Sequence, residues 1–476
     1  MKTKILFRAD GSSLIGLGHV YRSCALAQVI KGRFTTAFII KEPAKELEND
    51  ILASVDSVIS LKAGISLKEE IALLSSGISS GDIIVLDGYH FTGAYQQALK
   101  ASTKAAIICI DDIHNGKYEA DAVINHIGGI HIGDYQSVVS TVFFLGVAYA
   151  LVNKVFLEYK PDWKNKKDLL VCLGGADPGN HTLKIVESLP MHRFDRVTVI
   201  VGSGYRYREE LEQFIRDKNI HLYQNLQPAG VAKIMARCKY AVLSPSTVSY
   251  EYLHIGGIAY LYQIADNQQK VKEYFLHHRL ALDFEQVADE KVNEEELLRN
   301  QKFFFDGQSH TRLCKLLDGL SFIKHCSIRK ANEQDTDIVF QWANDPIARE
   351  MSFSNQPIPY DTHLEWFTKK INNTASYYYI FENENKAVAQ IRFDVKESEA
   401  ILSYSISPAE RGKSLGVWIL AGSIRHLTQE NSAIRTVVGF VKETNIASCK
   451  SFEKLRFNKL VATEYPASFK YYMEIK

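Results

Sequence analysis

The chain of 476 residues is predicted to be an α/β protein: two doubly wound units on parallel sheets, then a smaller α/β unit with antiparallel strands. Three observations predict this. Short apolar runs alternate with helical patterns through the first two-thirds of the chain, the mark of crossover connections between parallel strands. The alternation restarts after Pro161-Asp162-Trp163, so it belongs to two similar units. Near Ser321–His325 the pattern changes to closely spaced strands, two of them separated by the turn-forming Asn383-Glu384-Asn385. The expected units are 1–160, 161–322 and 326–476, in keeping with a chain too long for one core.

In order, the strand-like runs of the first unit are Ile5–Phe7, Thr36–Ile40, Ile83–Leu86, Ala106–Ile110, Ala122–Ile124 and Val142–Leu145. Those of the second are Leu169–Leu173, Val197–Val201, Ile220–Tyr223, Tyr240–Leu243 and Ala259–Tyr262. The third opens with a strand from Cys326 and a helix through Val339 and Trp342. Strands Tyr377–Glu382, Ala387–Asp394 and Ala400–Ile406 follow, then a helix over Val417–Leu427. Ligands of open parallel sheets sit beyond the carboxyl ends of strands, so a cleft between the first two units is the expected site.

Composition excludes several classes. With 46% hydrophobic and 23% charged residues and a formal charge of +1, nothing draws the chain to nucleic acid or an anionic membrane. The longest apolar stretch, Val142–Val152, is too short to span a bilayer. Arg8 and Asp10 follow a very brief apolar run, which argues against a signal peptide. Seven scattered cysteines with no Cys-x-x-Cys pair predict reduced thiols in a cytoplasmic protein, without a disulfide framework or zinc site. Asp111-Asp112-Ile113-His114 lacks further ligands nearby, so no metal is expected.

The most informative stretch is Arg8–Gln28, in which Gly16-Leu17-Gly18 precedes His19 and a helical pattern containing Arg22. Gly16 and Gly18 let the backbone approach a ligand, and amides opening a helix face anionic oxygens. The alternative is a tight turn with a solvated His, and the third glycine of a dinucleotide fingerprint is missing. Leu86-Asp87-Gly88-Tyr89, Leu173-Gly174-Gly175-Ala176-Asp177-Pro178 and Asn267-Gln268 lie at or beyond strand ends in the same order.

Together these segments resemble the UDP-sugar hydrolase family of pseudaminic acid biosynthesis. The resemblance implies a GT-B-like pair of Rossmann-like domains. It also implies release of UDP from UDP-2,4-diacetamido-2,4,6-trideoxy-β-L-altropyranose by water attack at the anomeric carbon, with inversion. His19 is then the base, an imidazole being able to accept a proton near neutrality. Asp87 and Tyr89 would orient water or sugar, although an Asp ending a strand also caps helices. Gly16, Gly18, Arg22, Gly174, Gly175 and Asp177 fall to substrate binding, with a turn and a helix cap as the alternative for Asp177. Ser244-Pro245-Ser246-Thr247 departs from the family's Gly-Gly-Ser-Thr, yet Ser246 and Thr247 still offer hydroxyls and Glu251 can reach a ribose. Asn267 and Gln268 would close on the sugar, with a turn-shaping Asn as the alternative for Asn267.

In the last third, Arg411-Gly412-Lys413-Ser414-Leu415-Gly416 before the Val417 helix resembles the acyl-coenzyme A loop of the GNAT acetyltransferases, with Ser414 in place of the middle glycine. Asn445 and the following Phe452-Glu453-Lys454-Leu455-Arg456-Phe457 resemble the family's second coenzyme A segment. The resemblance implies acetyl-CoA as cosubstrate, held by those residues, and transfer to the 4-amino group of a UDP-sugar. Phe452 stands where many of these enzymes carry a Tyr that protonates the departing thiolate. His363 and Glu365 are candidate contacts or bases for the amine, or else solvated helix residues. A GT-B glycosyltransferase carrying an acyl-CoA-binding module is the alternative. The oligomeric state is not fixed by the sequence.

Overall fold

The computed structural model describes residues 3–11, 16–114, 116–164, 166–175, 177–289 and 291–475. Ser12–Ile15 of the glycine turn and Ala176 of the second glycine loop lie outside them. Seven strands of the first unit pair in parallel in the order Ser57–Leu61, Thr35–Lys41, Lys4–Ala9, Ile83–Asp87, Ala106–Ile110, Ala122–Asn125, Val142–Leu145. Ile83–Asp87 and Ala106–Ile110 are buried at every position, which is why they read as unbroken apolar runs. The order reverses between Lys4–Ala9 and Ile83–Asp87, where register pairs Ala9 with Asp87. Loops leaving two such strands diverge and leave a crevice.

The second unit repeats the design with six parallel strands in the order Ile220–Gln224, Val197–Val201, Leu169–Cys172, Tyr240–Leu243, Ile258–Leu261, Leu282–Asp283. Its reversal lies between Leu169–Cys172 and Tyr240–Leu243. All eleven runs expected in the two units are strands within one or two residues of their expected bounds. Sequence reading missed Ser57–Leu61, an edge strand with little buried surface, and the two-residue Leu282–Asp283.

One helix departs from the expected division at 161–322. Ser309–Lys324 lies against the first unit, where Leu313, Leu316, Leu317 and Leu320 join the core of Leu26 and Ile30. Its Ser321 and Cys314 reach Thr3 and the Val29 carbonyl at 2.7 and 3.5 Å. Periodicity reveals a helix and its apolar face, but not which sheet that face will cover.

The third sheet has the order Cys326–Lys330, Ser376–Asn383, Lys386–Lys396, Glu399–Ile406, Thr436–Lys442, Ser468–Glu474, Asn458–Val461. Asn383 pairs with Lys386, leaving Glu384-Asn385 as a two-residue hairpin with φ of 48° and 60°, as the turn signal predicts. Every pair is antiparallel except Glu399–Ile406 with Thr436–Lys442. That parallel pairing runs only from Glu399↔Thr436 to Leu402↔Gly439, and the strands part beyond it. The unit docks on the first one: the Phe143 N–H donates to the Lys454 carbonyl at 2.8 Å, Arg425 pairs with Asp121 at 3.0 Å, and the Trp418 and Phe144 rings lie 5.9 Å apart. Among the described residues, no helix is long and apolar enough to cross a membrane.

Candidate functional site

The first crevice is built around one buried carboxylate. Asp87 ends its strand fully buried, and His19 lies in the first turn of the Gly18–Ile30 helix after the adjacent strand. His19 Nδ1 is 2.7 Å from Asp87 Oδ1. Arg22 Nη2, which can only donate, lies 3.0 Å from the same nitrogen, but the shorter contact is to a carboxylate, which can only accept; with the Nδ1 proton directed at Asp87, a neutral imidazole has its lone pair on Nε2. Arg22, one helical turn on, donates from Nε and Nη2 to the two Asp87 oxygens at 2.7 and 2.6 Å, and from Nη1 to Asp112 at 2.7 Å. Ser23 Oγ adds a bond of 3.1 Å. Burial works against the Asp87 charge, but Arg22 and the His19 hydrogen bond outweigh it and hold the carboxyl below its ordinary range.

Arg22 was expected to bind substrate. Its guanidinium is buried between Asp87 and Asp112, where it fixes the carboxylate that orients His19. Gly16 has φ of +82°, the left-handed conformation the turn requires, and Gly18 starts a helix without a side-chain cap. Tyr89 stands edge-on to His19 with ring centroids 4.8 Å apart and donates to Asp112 at 3.2 Å. Burial and the Asp112 charge push its phenol up to about 12, so it stays a proton donor and orienter. Asp112 comes from the Asp111-Asp112-Ile113-His114 run, for which the sequence offers no further metal ligands nearby. Its Oδ1 is buried without a hydrogen-bond partner among the described residues, an unused acceptor on the carboxylate that Arg22 and Tyr89 hold by its other oxygen. Asp111, by contrast, is consumed by Tyr118, Tyr135 and the backbone of His114.

The second unit faces this cluster across the cleft. Lys270 Nζ of the second unit lies 3.1 Å from His114 Nε2 of the first, and Asn267 stands near enough to the Tyr89 hydroxyl to act on its phenol, while Gln268 turns inward to accept from the Ile264 N–H at 2.9 Å and shapes the loop. At the second crevice the Ser244 hydroxyl donates to the Leu173 carbonyl at 3.0 Å and meets Ser246 at 2.8 Å, tying the two loops together. Gly174 has φ of +99°, and a Cβ on either Gly174 or Gly175 would meet nothing, so the backbone there is open to a ligand. Ser246 precedes the helix that Thr247 begins, with no side-chain cap on its first amides. Burial pushes Glu251, in that helix, up to about 8.

Asp177 does not join them. Its carboxylate accepts from the His181 and Thr182 amides at 2.9 and 2.6 Å and is buried at the start of the next helix, the helix-cap arrangement that stood as the alternative to a nucleotide contact. Gly202, after the Val197–Val201 strand, packs against the Gly174-Gly175 loop: a Cβ there would lie 2.2 Å from the Gly175 carbonyl oxygen. No group of three or more His, Cys, Asp or Glu residues that could hold a metal occurs among the described residues.

In the third unit the loop between the parted strands and the helix Gly416–Glu430 has Gly412 and Ser414 at φ of +80° and +59°. Ser414 thus occupies the left-handed conformation that a glycine would take without strain. Asn445 caps the Ile446–Glu453 helix by accepting from the Ser448 N–H at 3.1 Å.

A 22% identical, uncharacterised protein of Methanocaldococcus jannaschii aligns over 96% of this chain and 97% of its own length. The first part also aligns with the UDP-2,4-diacetamido-2,4,6-trideoxy-β-L-altropyranose hydrolase of Campylobacter jejuni, 25% identical over 52% of this chain and 88% of that protein. The spore coat polysaccharide biosynthesis protein SpsG of Bacillus subtilis is 26% identical over 60% and 85%. Residues 326–458 match the acetyltransferase (GNAT) domain family. The chain joins a part similar to these sugar-nucleotide proteins to a region that matches the GNAT domain family. A spermidine N-acetyltransferase structure from Vibrio cholerae covers 32% of this chain and 96% of its own at 13% identity and a TM-score of 0.30.

Within the GNAT domain several expected ligand contacts are engaged elsewhere. Arg411 donates to Asp345 at 2.5 Å and to the Ile406 carbonyl at 3.2 Å, and Lys413 pairs with Glu410 at 2.7 Å, so both side chains stabilise the loop itself. What Gly412, Ser414, Leu415 and Gly416 offer is backbone. His363 is buried between Phe340 and Phe367 with Nε2 facing the Thr336 carbonyl, a core histidine with no opening to an amine. Glu365 is exposed and pairs with Lys369 one turn away, a solvated helix residue. Phe452 is buried and stacks on Tyr471, as an apolar side chain at that position must. A hydroxyl nearby went unnoticed in the sequence: Tyr404, on the parted strand, lies 2.9 Å from Ser448 Oγ.

Proposed function

We propose that the chain performs two consecutive steps on one sugar nucleotide. The GNAT domain transfers an acetyl group from acetyl-CoA to the 4-amino group of a UDP-linked 2-acetamido-4-amino-trideoxy sugar. The hydrolase homologue then releases UDP from the resulting UDP-2,4-diacetamido-2,4,6-trideoxy-β-L-altropyranose. The observation that carries the second step is His19, its Nδ1 proton held by buried Asp87 at the point where the strand order reverses.

In this reading Nε2 of His19 takes a proton from water while the water oxygen bonds to the anomeric carbon. The bond from that carbon to the diphosphate oxygen breaks, and UDP leaves with the electron pair. Backbone around Gly174 and Gly175 and the start of the Thr247 helix, with the Ser246 and Thr247 hydroxyls, meet the diphosphate charge. Glu251 accepts from ribose hydroxyls, and Asn267 and Asp112 contact the sugar. Two parallel units with facing crevices, joined by a last helix that returns to the first, support a GT-B arrangement with units 1–160 and 161–322 before a GNAT domain at 326–476. In the first step the amine bonds to the thioester carbonyl carbon and the thiolate of coenzyme A departs to take up a proton. Both cosubstrates are metabolites of the cytoplasm, which is the compartment this reading assigns.

The test is to incubate the protein with UDP-4-amino-4,6-dideoxy-N-acetyl-β-L-altrosamine and acetyl-CoA in water enriched in heavy oxygen. Mass spectrometry should find one acetyl group gained, UDP without label and a free sugar with label. Label on UDP would place the attack at phosphorus, and sugar transferred to an acceptor would replace hydrolysis by glycosyl transfer.

A further inference from the structure

The Ser309–Lys324 helix, which belongs to the hydrolase half, runs beside the glycine loop of the GNAT domain. They approach so closely at Gly319 that a Cβ there would lie 2.8 Å from Trp418 Nε1 and 3.5 Å from the Lys413 carbonyl oxygen. Toward the start of that helix the two halves separate into an open cleft. Arg312, Lys315 and Tyr149 line one wall, and Ser414, Val417 and Lys454 the other.

The charge of this cleft is one-sided. The Lys454 ammonium lies 4.7 and 5.6 Å from the ring centroids of Phe144 and Tyr149 and has no acidic partner among the described residues. Lys315 is exposed and makes no hydrogen bond or ion pair among them. Arg312 is held by Asp306. Two lysines without a carboxylate partner among the described residues thus line one opening, and an anion placed there is attracted by both. The loop next to them has no free cation of its own among the described residues, because Arg411 and Lys413 are paired with Asp345 and Glu410. Its amides suit a diphosphate, while a phosphomonoester carrying close to two charges at neutral pH suits two ammonium groups.

We propose that this cleft binds the 3′-phosphate of coenzyme A, so that Lys315 of the hydrolase half completes the acetyl-CoA site of the GNAT domain. The inference rests on the acetyl-CoA reading given above. It also supplies a physical reason for keeping both activities in one chain: the acetyl donor would bind weakly without the helix Ser309–Lys324.

The experiment compares coenzyme A with 3′-dephospho-coenzyme A by isothermal titration of the full-length protein. The wild type should prefer coenzyme A by about tenfold or more, the expected return from two partly exposed charged contacts. Lys315→Ala should remove much of that preference, and Lys315→Ala with Lys454→Ala nearly all of it, with dephospho-coenzyme A binding unchanged. Lys315→Arg should keep it. Lys315 is a solvent-exposed helix residue, so its single variant does not put folding at stake. A preference that survives in the double variant overturns the proposal, as does an equal loss for both ligands. Wild-type protein that binds neither ligand overturns the acetyl-CoA reading itself.

Discussion

Replacing Asp87 with Asn tests the centre of the hydrolytic site. Both Asp87 oxygens accept from Arg22, one also from His19 Nδ1 and the other from Ser23. Whichever way an Asn side chain turns, its NH2 group faces an Arg22 N–H, and the charge balancing Arg22 is left to Asp112 alone. Breaking a buried ion pair by removing one partner costs about 3–5 kcal/mol, and because Asp112 remains we expect a loss near the lower end. The sign with pH follows from Asp87 being held below its ordinary value of 3.8: its contribution is present above that pH and lost as pH falls through the lower folded value. Urea unfolding should therefore show a constant difference between wild type and variant from about pH 5 to 8, narrowing below about pH 4. UDP release should fall on the order of 10³-fold, because His19 loses the acceptor that fixes its tautomer, while UDP binding stays within about tenfold. UDP release within tenfold of wild type, or no measurable loss of stability, would refute the reasoning.

His19→Asn should abolish UDP release but leave UDP affinity within about tenfold by titration, since the base acts in the transition state. Glu251 has its folded pKa raised from 4.5 to about 8, so wild-type stability should fall relative to Glu251→Gln as pH rises between those values, measured in urea at several pH values. Ser414→Gly should raise stability by about 0.5–1 kcal/mol, because serine is strained at φ of +59°, without raising the KM for acetyl-CoA. Asp177→Ala should cost about 1–2 kcal/mol as a lost helix cap and change UDP affinity little; a large drop in affinity would return Asp177 to the nucleotide site.

The sequence by itself determined the local structure and the chemistry at strand ends. Strands such as Ile83–Asp87 are buried on both faces and must be apolar throughout, so composition alone marks them. The Gly16-Leu17-Gly18-His19 turn and the Glu384-Asn385 hairpin are legible because left-handed backbone restricts which residues can stand there. Only the tertiary structure decided which polar groups are free. Arg22, Asp177 and Arg411 are ligand-binding residue types in the right loops, yet each is satisfied by a neighbour: Asp87 lies 65 residues from Arg22, and Asp345 lies 66 from Arg411. The same holds for the helix Ser309–Lys324, whose apolar stripe is plain in sequence but whose partner, the first unit, lies nearly 300 residues earlier. A side chain's identity is local, whereas its desolvation and its partner depend on contacts between distant segments, and these decide whether its charge remains available for a ligand.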